Sequence, residues 1–428
     1  MNAGGNGAMV RRSLAAVWHP CTQMKSHERL PLVPIARANG AWLTDFDGRR
    51  YLDGVSSWWV NLFGHSHPAI NAAIVDQLEN LDHVMLAGFT HAPAVELAER
   101  LASLAPGRLG HAFFASDGAS ATEIALKMAF HYWANRGRAS KNRFVALAGG
   151  YHGETVGALA VTDVPIFRDA YAPLVRSALV TPFPADVDAA ARALGQLLEE
   201  KSDEIAALVV EPLVQGASGM RFYPAEYLKR ARELCDRHEV LLVADEIMTG
   251  FGRTGTMFAC EQAGIAPDLI CLSKGITGGY LPLSCVLCTD AVFEAFYDDD
   301  VARGFLHSHS YTGNPLACRA ACAVLDLFER DDVIAANRER SRRFTALAAP
   351  LAAHARVRNF RNLGMIWAFE VDAPAPGFAM RAFEAGLARG VLLRPIGNTV
   401  YFMPPYIVTD EEFQLLVDTG LVLAELKQ

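Results

Sequence analysis

Residues 240–279 read VLLVADEIMTGFGRTGTMFACEQAGIAPDLICLSKGITGG, and two short runs within them decide the fold. VLLVADEI delivers Asp245 and Glu246, and DLICLSK delivers Ser273 and Lys274. An apolar run of about four to eight residues suits a strand buried on both faces, as in a parallel sheet. Ligands of open α/β sheets bind at the carboxyl ends of the strands. Asp245 and Lys274 are therefore expected to face one crevice.

Working outward, further strand-length runs appear in HAFFAS (111–116), RFVALAG (143–149), ALVVEP (207–212) and LSCVLCT (283–289), separated by amphipathic stretches such as Pro224 to His238. This rhythm predicts an α/β fold, a mainly parallel sheet wrapped by helices, over residues 68–310. Residues 1–67 read as a frayed start (Met1 to Met9) followed by an N-terminal arm and a small sheet that joins the smaller domain. Within it GAWLTDFDGRRYLDG predicts a hairpin around Asp47-Gly48. Residues 311–428 read as a linking helix after Pro315, a break at Asp331-Asp332, and a smaller α+β domain with strands in MIWAFEV and TVYFMPP.

Composition removes several functions. A net charge of −8 over 428 residues offers no basic surface for nucleic acid. The basic cluster NRERSRR, Asn337 to Arg343, reads as a solvated helix face. The eight cysteines lie mostly in apolar runs of a chain too large to need disulfides, which fits the cytoplasm. No stretch has the length of a membrane span, and Leu14 to Trp18 is too short for an export signal.

The chemistry follows from residue types. A strand-end lysine amine can form an imine with an aldehyde cofactor, and a carboxylate such as Asp245 can hold the cofactor's ring nitrogen protonated. In FFASDGASATEIALKMAF a strand, a turn over Ser116 to Ser120 and a helical run follow one another, so amides at the helix start are offered to a phosphate. GGYHGET (149–155) sets Tyr151 in a glycine-flanked turn, where its ring suits a flat group. Three other patterns count for less. Gly250 to Gly255 match G-x-G-x-x-G, but no convincing long helix follows and no acidic residue closes a second strand. Cys285-x-x-Cys288 sits in an apolar strand pattern, and His65/His67 and His307/His309 lack matching ligands, so no metal is expected.

Together these residues resemble the class III aminotransferases of the pyridoxal 5′-phosphate (PLP) fold-type I group. ADEIMTGFGRTG, PDLICLSKGITGG and GNPLAC carry the broad resemblance; WHPCTQM, GVSSWWVNLFGHSHP, GGYHGET and LLRPIGNTVYFMPPYI are similar to the biotin-pathway branch. The resemblance implies that Lys274 carries PLP and shuttles a proton, that Asp245 pairs with the ring nitrogen, and that Tyr151 lies over the ring. It implies phosphate contacts from Gly118 and Ala119, and from His309 and Ser310 of the neighbouring subunit of a homodimer. Trp58 and Ser308 would contact substrate and Arg394 the acceptor's carboxylate. The implied activity moves an amino group from S-adenosylmethionine to 8-amino-7-oxononanoate, giving 7,8-diaminononanoate. The chain departs from the family pattern at Cys21, at Ser116 to Ala119, and at Ser308 to Ser310. Lysine as donor, a class III enzyme for ω-amino acids or diamines, and an NAD-linked oxidoreductase using the GFGRTG turn stay open as rivals.

Overall fold

The computed structural model describes residues 5–30, 32–372, 374 and 376–426. The chain divides into two compact units, one of residues 69–341 with 363–365, the other of 1–68, 342–362 and 366–428.

The larger unit is built on a seven-stranded sheet: β1 His111–Ala115, β2 Arg143–Leu147, β3 Leu179–Thr181, β4 Ile205–Val210, β5 Leu241–Asp245, β6 Leu269–Leu272 and β7 Ser284–Cys288. Their spatial order is β1-β7-β6-β5-β4-β2-β3. The ladders β6/β5, β5/β4, β4/β2 and β2/β3 are parallel. β7 runs antiparallel to both of its neighbours, β6 and β1. The reversal has a local cause: residues 273–283 are too few for a helical crossover, and Gly278 and Gly279 (φ 62° and 87°) turn the chain back. Every residue of β4, β5, β6 and β7 is buried, including Cys285 and Cys288. The helix Gly118–Asn135 lays Ala121, Ile124, Ala125 and Met128 on one core with Val209, Val243, Cys271 and Val286. Burying one large aliphatic side chain of such a core contributes about 1.5–3 kcal/mol.

The helices Pro315–Arg330 and Val333–Leu347 are separated at Asp331-Asp332, where Asp332 takes φ 40°. Residues 311–341 group with the larger unit, not with the C-terminal domain to which the sequence pattern assigns them. The physical reason is that Pro315–Arg330 buries residues around most of its circumference, and Cys322 packs its sulfur on the carbonyl of Pro93 within that unit.

The smaller unit contains a sheet of Ile35–Asn39, Trp42–Asp45, Arg50–Asp53 and Val391–Leu392, and another of Val357–Leu363, Ile366–Val371 and Thr399–Phe402. Trp42 pairs with Leu52 and Thr44 with Arg50 across the hairpin, whose turn is fixed by Gly48 (φ 87°) and by Asp45 accepting from the amides of Asp47 and Arg49. Phe344 and Phe413 stack at 4.3 Å beside Trp367 to form its aromatic core. Asn6–Ala16 is an α-helix, so the expectation of a frayed Met1 to Met9 is corrected from Asn6 onward; residues 1–4 lie outside the described residues. Among the described residues, no helix is long and apolar enough to cross a membrane.

Candidate active site

β5 ends on Asp245, and β6 ends two residues before Lys274; with Asp245 opposite Cys271, the two parallel strands deliver their carboxyl ends to one side. Lys274 takes a left-handed backbone, φ 45°, which costs a residue with a side chain about 1–2 kcal/mol. The hydroxyl of the preceding Ser273 donates to the carbonyl of Leu283 at 2.9 Å and fixes the start of this turn. Desolvation pushes the Lys274 amine below its ordinary pKa, and the charges of Asp245 and Glu211 act against that fall.

Asp245 is buried, accepts the amide of Ile247 at 3.1 Å and faces Nδ1 of His152 at 2.7 Å. Burial works against a charged His152, but the hydrogen bond and charge of Asp245 outweigh it, and the histidine's pKa is raised. Behind this pair stands Glu211, also buried, which accepts the amides of Tyr151 at 2.9 Å and Gly216 at 3.0 Å. Burial pushes its carboxyl up to about 7. His152 and Glu211 are absent from the site residues that the sequence suggests. Glu211 follows the strand within ALVVEP as Asp245 ends the one within VLLVADEI, so the same strand-end signal points to it.

The start of the helix Gly118–Asn135 joins the same group. Thr122 donates to the carbonyl of His152 at 2.8 Å, and a Cβ on Gly153 would lie 2.6 Å from that of Ala119. A Cβ on Gly118 would meet Ile247 at 3.0 Å. Asp117 caps the helix by accepting the amide and hydroxyl of Ser120, which leaves the amides of Gly118 and Ala119 as first-turn donors without an intrahelical acceptor. Tyr151 holds its hydroxyl on Glu154 at 2.8 Å and its ring edge-on to Phe167 at 5.3 Å.

These residues fit PLP. An amine held below its ordinary pKa, a buried carboxylate for a ring nitrogen, and helix-start amides for a phosphate are the donor set that its aldehyde, pyridine and phosphate need. His152 Nε2 is buried without a hydrogen-bond partner, so the imidazole presents one polar edge to Asp245 and one to the interior.

Ser308, His309 and Ser310 lie in the loop before Pro315, and the hydrogen bonds of His309 go to His307 and Thr312. His307 is in turn 2.8 Å from the amine of Lys127 on the helix 118–135. The turn over Gly250 to Gly255 leads to a short 3-10 helix, Ala259–Ala263, and not to the long helix that a dinucleotide site opens. Among the described residues, no group of three or more His, Cys, Asp or Glu side chains is placed to hold a metal ion.

Trp58 and Arg394 belong to the smaller unit. Trp58 is 43 % exposed, and its ring lies 5.1 Å from the Arg394 guanidinium, which also reaches the Cys21 carbonyl at 3.4 Å. Both line a cavity of about 450 Å³ whose walls include Leu30, Leu43, Phe383 and Leu392. Trp58 stands on one turn of left-handed helix: Ser56, Ser57, Trp58 and Trp59 have φ 51°, 46°, 74° and 73°.

The aminotransferase class-III family profile matches residues 23–420. An adenosylmethionine-8-amino-7-oxononanoate aminotransferase from Helicobacter pylori is 45% identical over 420 residues, 96% of this chain and 95% of the relative. A protein of the same name from Geobacter sulfurreducens is 40% identical over 94% of each chain. Among solved structures, the adenosylmethionine-8-amino-7-oxononanoate aminotransferase of Methanocaldococcus jannaschii superposes with a TM-score of 0.94 at 34% identity, covering 98% of this chain and 99% of that one. The PLP-bound form of an amine transaminase from an uncultivated Pseudomonas species superposes with a TM-score of 0.88 at 35% identity, covering 96% and 98%.

Proposed function

We infer, because the chain belongs to the class-III aminotransferases, that it transfers the amino group of S-adenosylmethionine to 8-amino-7-oxononanoate and so serves biotin biosynthesis. The cofactor is PLP, which when bound supplies an electron sink for the carbon that gains or loses the amino group.

The observation that supports this reading most is the pairing of Lys274 with Asp245 at the ends of adjacent parallel strands, with His152 and Glu211 behind the carboxylate. Lys274 Nζ would hold the cofactor through its aldehyde and would move the proton at the substrate carbon; its depressed pKa keeps a larger share of the amine neutral for both tasks. Asp245 would hold a proton on the ring nitrogen, and His152, bonded to its Oδ2, keeps the carboxylate oriented. The amides of Gly118 and Ala119 bind the phosphate, and Tyr151 covers one face of the ring.

Trp58 and Ser308 contact substrate, and Arg394 binds the carboxylate of 8-amino-7-oxononanoate, an interaction that orients the acceptor far from its reacting carbon. The enzyme acts as a homodimer in which His309 and Ser310 of one copy reach the phosphate in the other. Leu306 and Tyr311, which flank that loop, are exposed side chains that a second copy would cover. The seven cysteines from Cys235 to Cys322 are buried free thiols, in keeping with work in the cytoplasm.

The deciding assay offers S-adenosylmethionine and lysine separately to the PLP form and follows conversion to pyridoxamine phosphate, then adds 8-amino-7-oxononanoate. Conversion by S-adenosylmethionine and return of the PLP form on adding the acceptor supports the reading. Conversion by lysine alone, or no return of the PLP form on adding the acceptor, overturns it.

A further inference from the structure

Asp53 ends a strand of the smaller unit and is completely buried, with both carboxylate oxygens turned to the segment that follows. Oδ1 accepts the amides of Val55 at 3.4 Å and Ser57 at 2.9 Å; Oδ2 accepts the Ser57 hydroxyl at 2.7 Å and faces Nε2 of His65 at 3.0 Å. The four residues from Ser56 to Trp59 are the left-handed turn described above, and none is glycine. In that conformation each Cβ crowds the following carbonyl, so a run of four persists only where its surroundings hold it.

The holds are unevenly placed. At the first residue, the Ser56 hydroxyl donates to the Met403 carbonyl at 2.8 Å. At the last, Trp59 donates its ring N–H to Tyr401 at 3.1 Å and its amide to Val55 at 2.8 Å. In the middle, the amide and hydroxyl of Ser57 both go to Asp53. Trp58 follows directly, with its ring outward and beside Arg394.

We propose that Asp53 is a positioning residue for amino-group transfer: by clamping Ser57 in the left-handed conformation it aims Trp58 and, through the Trp58 ring, Arg394. The proposal rests on the substrate roles given above to those two residues. A carboxylate that merely capped a strand would matter for stability alone. A clamp on a strained turn should become dispensable when the strain is removed, and glycine at position 57 removes it, since it takes φ 46° without a Cβ penalty.

The test uses the holoenzyme labelled with 5-fluorotryptophan, the Trp58 resonance being assigned by its loss in Trp58→Phe. Asp53→Ala should shift or broaden that resonance and raise KM for 8-amino-7-oxononanoate by about tenfold while kcat stays within about threefold. Asp53→Asn, which keeps an acceptor for the two amides, should fall between. Adding Ser57→Gly to Asp53→Ala should restore both the resonance and KM to within about threefold of the parent. A Trp58 resonance unmoved in Asp53→Ala, or a resonance and KM that Ser57→Gly fails to restore, overturns the proposal. Should Asp53→Ala not fold, the same comparison is made in Asp53→Asn with and without Ser57→Gly, where restoration by glycine supports the clamp and its failure overturns it. If the parent enzyme does not use this acceptor, the substrate reading falls by that result, and the fluorine resonance still decides the role of Asp53.

Discussion

Replacing Glu211 by glutamine removes a buried charge while keeping the shape of the side chain. The carboxyl's pKa stands at about 7 against an ordinary 4.5, with burial the main cause, opposed by His152, reinforced by Asp245 and opposed again by the amides of Tyr151 and Gly216. A carboxyl whose pKa is raised by folding stabilises the fold in its protonated form. That contribution is fully present below about pH 4.5 and is lost as pH rises through about 7. A rise from 4.5 to about 7 corresponds to roughly 3 kcal/mol at full titration. About 2.5 kcal/mol of it disappears between roughly pH 5 and pH 8. Glutamine does not titrate, but its NH₂ cannot accept, so one of the two backbone amides loses its partner at a cost of about 1–2 kcal/mol at every pH. The charge of Glu211 contributes to the raised pKa of His152, so the imidazole's titration also differs between the two proteins and adds to the pH dependence of the difference. Glu211→Gln is therefore expected to be slightly less stable than the parent near pH 5 and more stable near pH 8. Urea unfolding of the cofactor-free proteins across this range measures the difference. A difference that stays constant to within about 0.5 kcal/mol refutes the burial argument.

Three further outcomes are expected. Gly153→Ala, at φ 120° and with its new Cβ 2.6 Å from that of Ala119, should displace the helix start, lower stability by about 1–3 kcal/mol and weaken PLP binding; unchanged urea midpoint and cofactor affinity would contradict this. Asp245→Asn should retain PLP but slow transamination at least about a hundredfold, because a neutral amide cannot hold a proton on the ring nitrogen, and near-native turnover would count against the role. Arg394→Ala should slow the acceptor half-reaction by about 10- to 100-fold and the donor half-reaction little, since S-adenosylmethionine has no carboxylate remote from its amino group; single-turnover rates of the two halves decide, and an equal loss in both would be evidence against the assignment.

The parts of the fold and site that are legible in the sequence are those with a local signature. Buried strands have little use for Asp245 or Lys274 at their ends, so these two stand out, as do the strand, turn and helix around Gly118 and Ala119. Glu211 carries the same signature in a weaker setting, with Pro212 directly after it. His152 has none, because its meaning lies in a bond to Asp245, 93 residues further on. The left-handed turn at Ser56–Trp59 is illegible for a related reason: nothing in SSWW favours positive φ, and two of its holds, Met403 and Tyr401, lie 347 and 342 residues away from their partners. The helix Pro315–Arg330 is visible as a helix, but periodicity does not say which core a helix joins when it is buried on most sides. The antiparallel course of β7 is readable in principle, from the short connection after Lys274.

Whether Lys274 carries the cofactor is decided by borohydride reduction of the purified holoenzyme followed by peptide mapping. A phosphopyridoxyl group is expected on the peptide containing Lys274, with loss of that label and of transamination in Lys274→Ala. Label on a different lysine, or full activity in Lys274→Ala, would contradict the assignment.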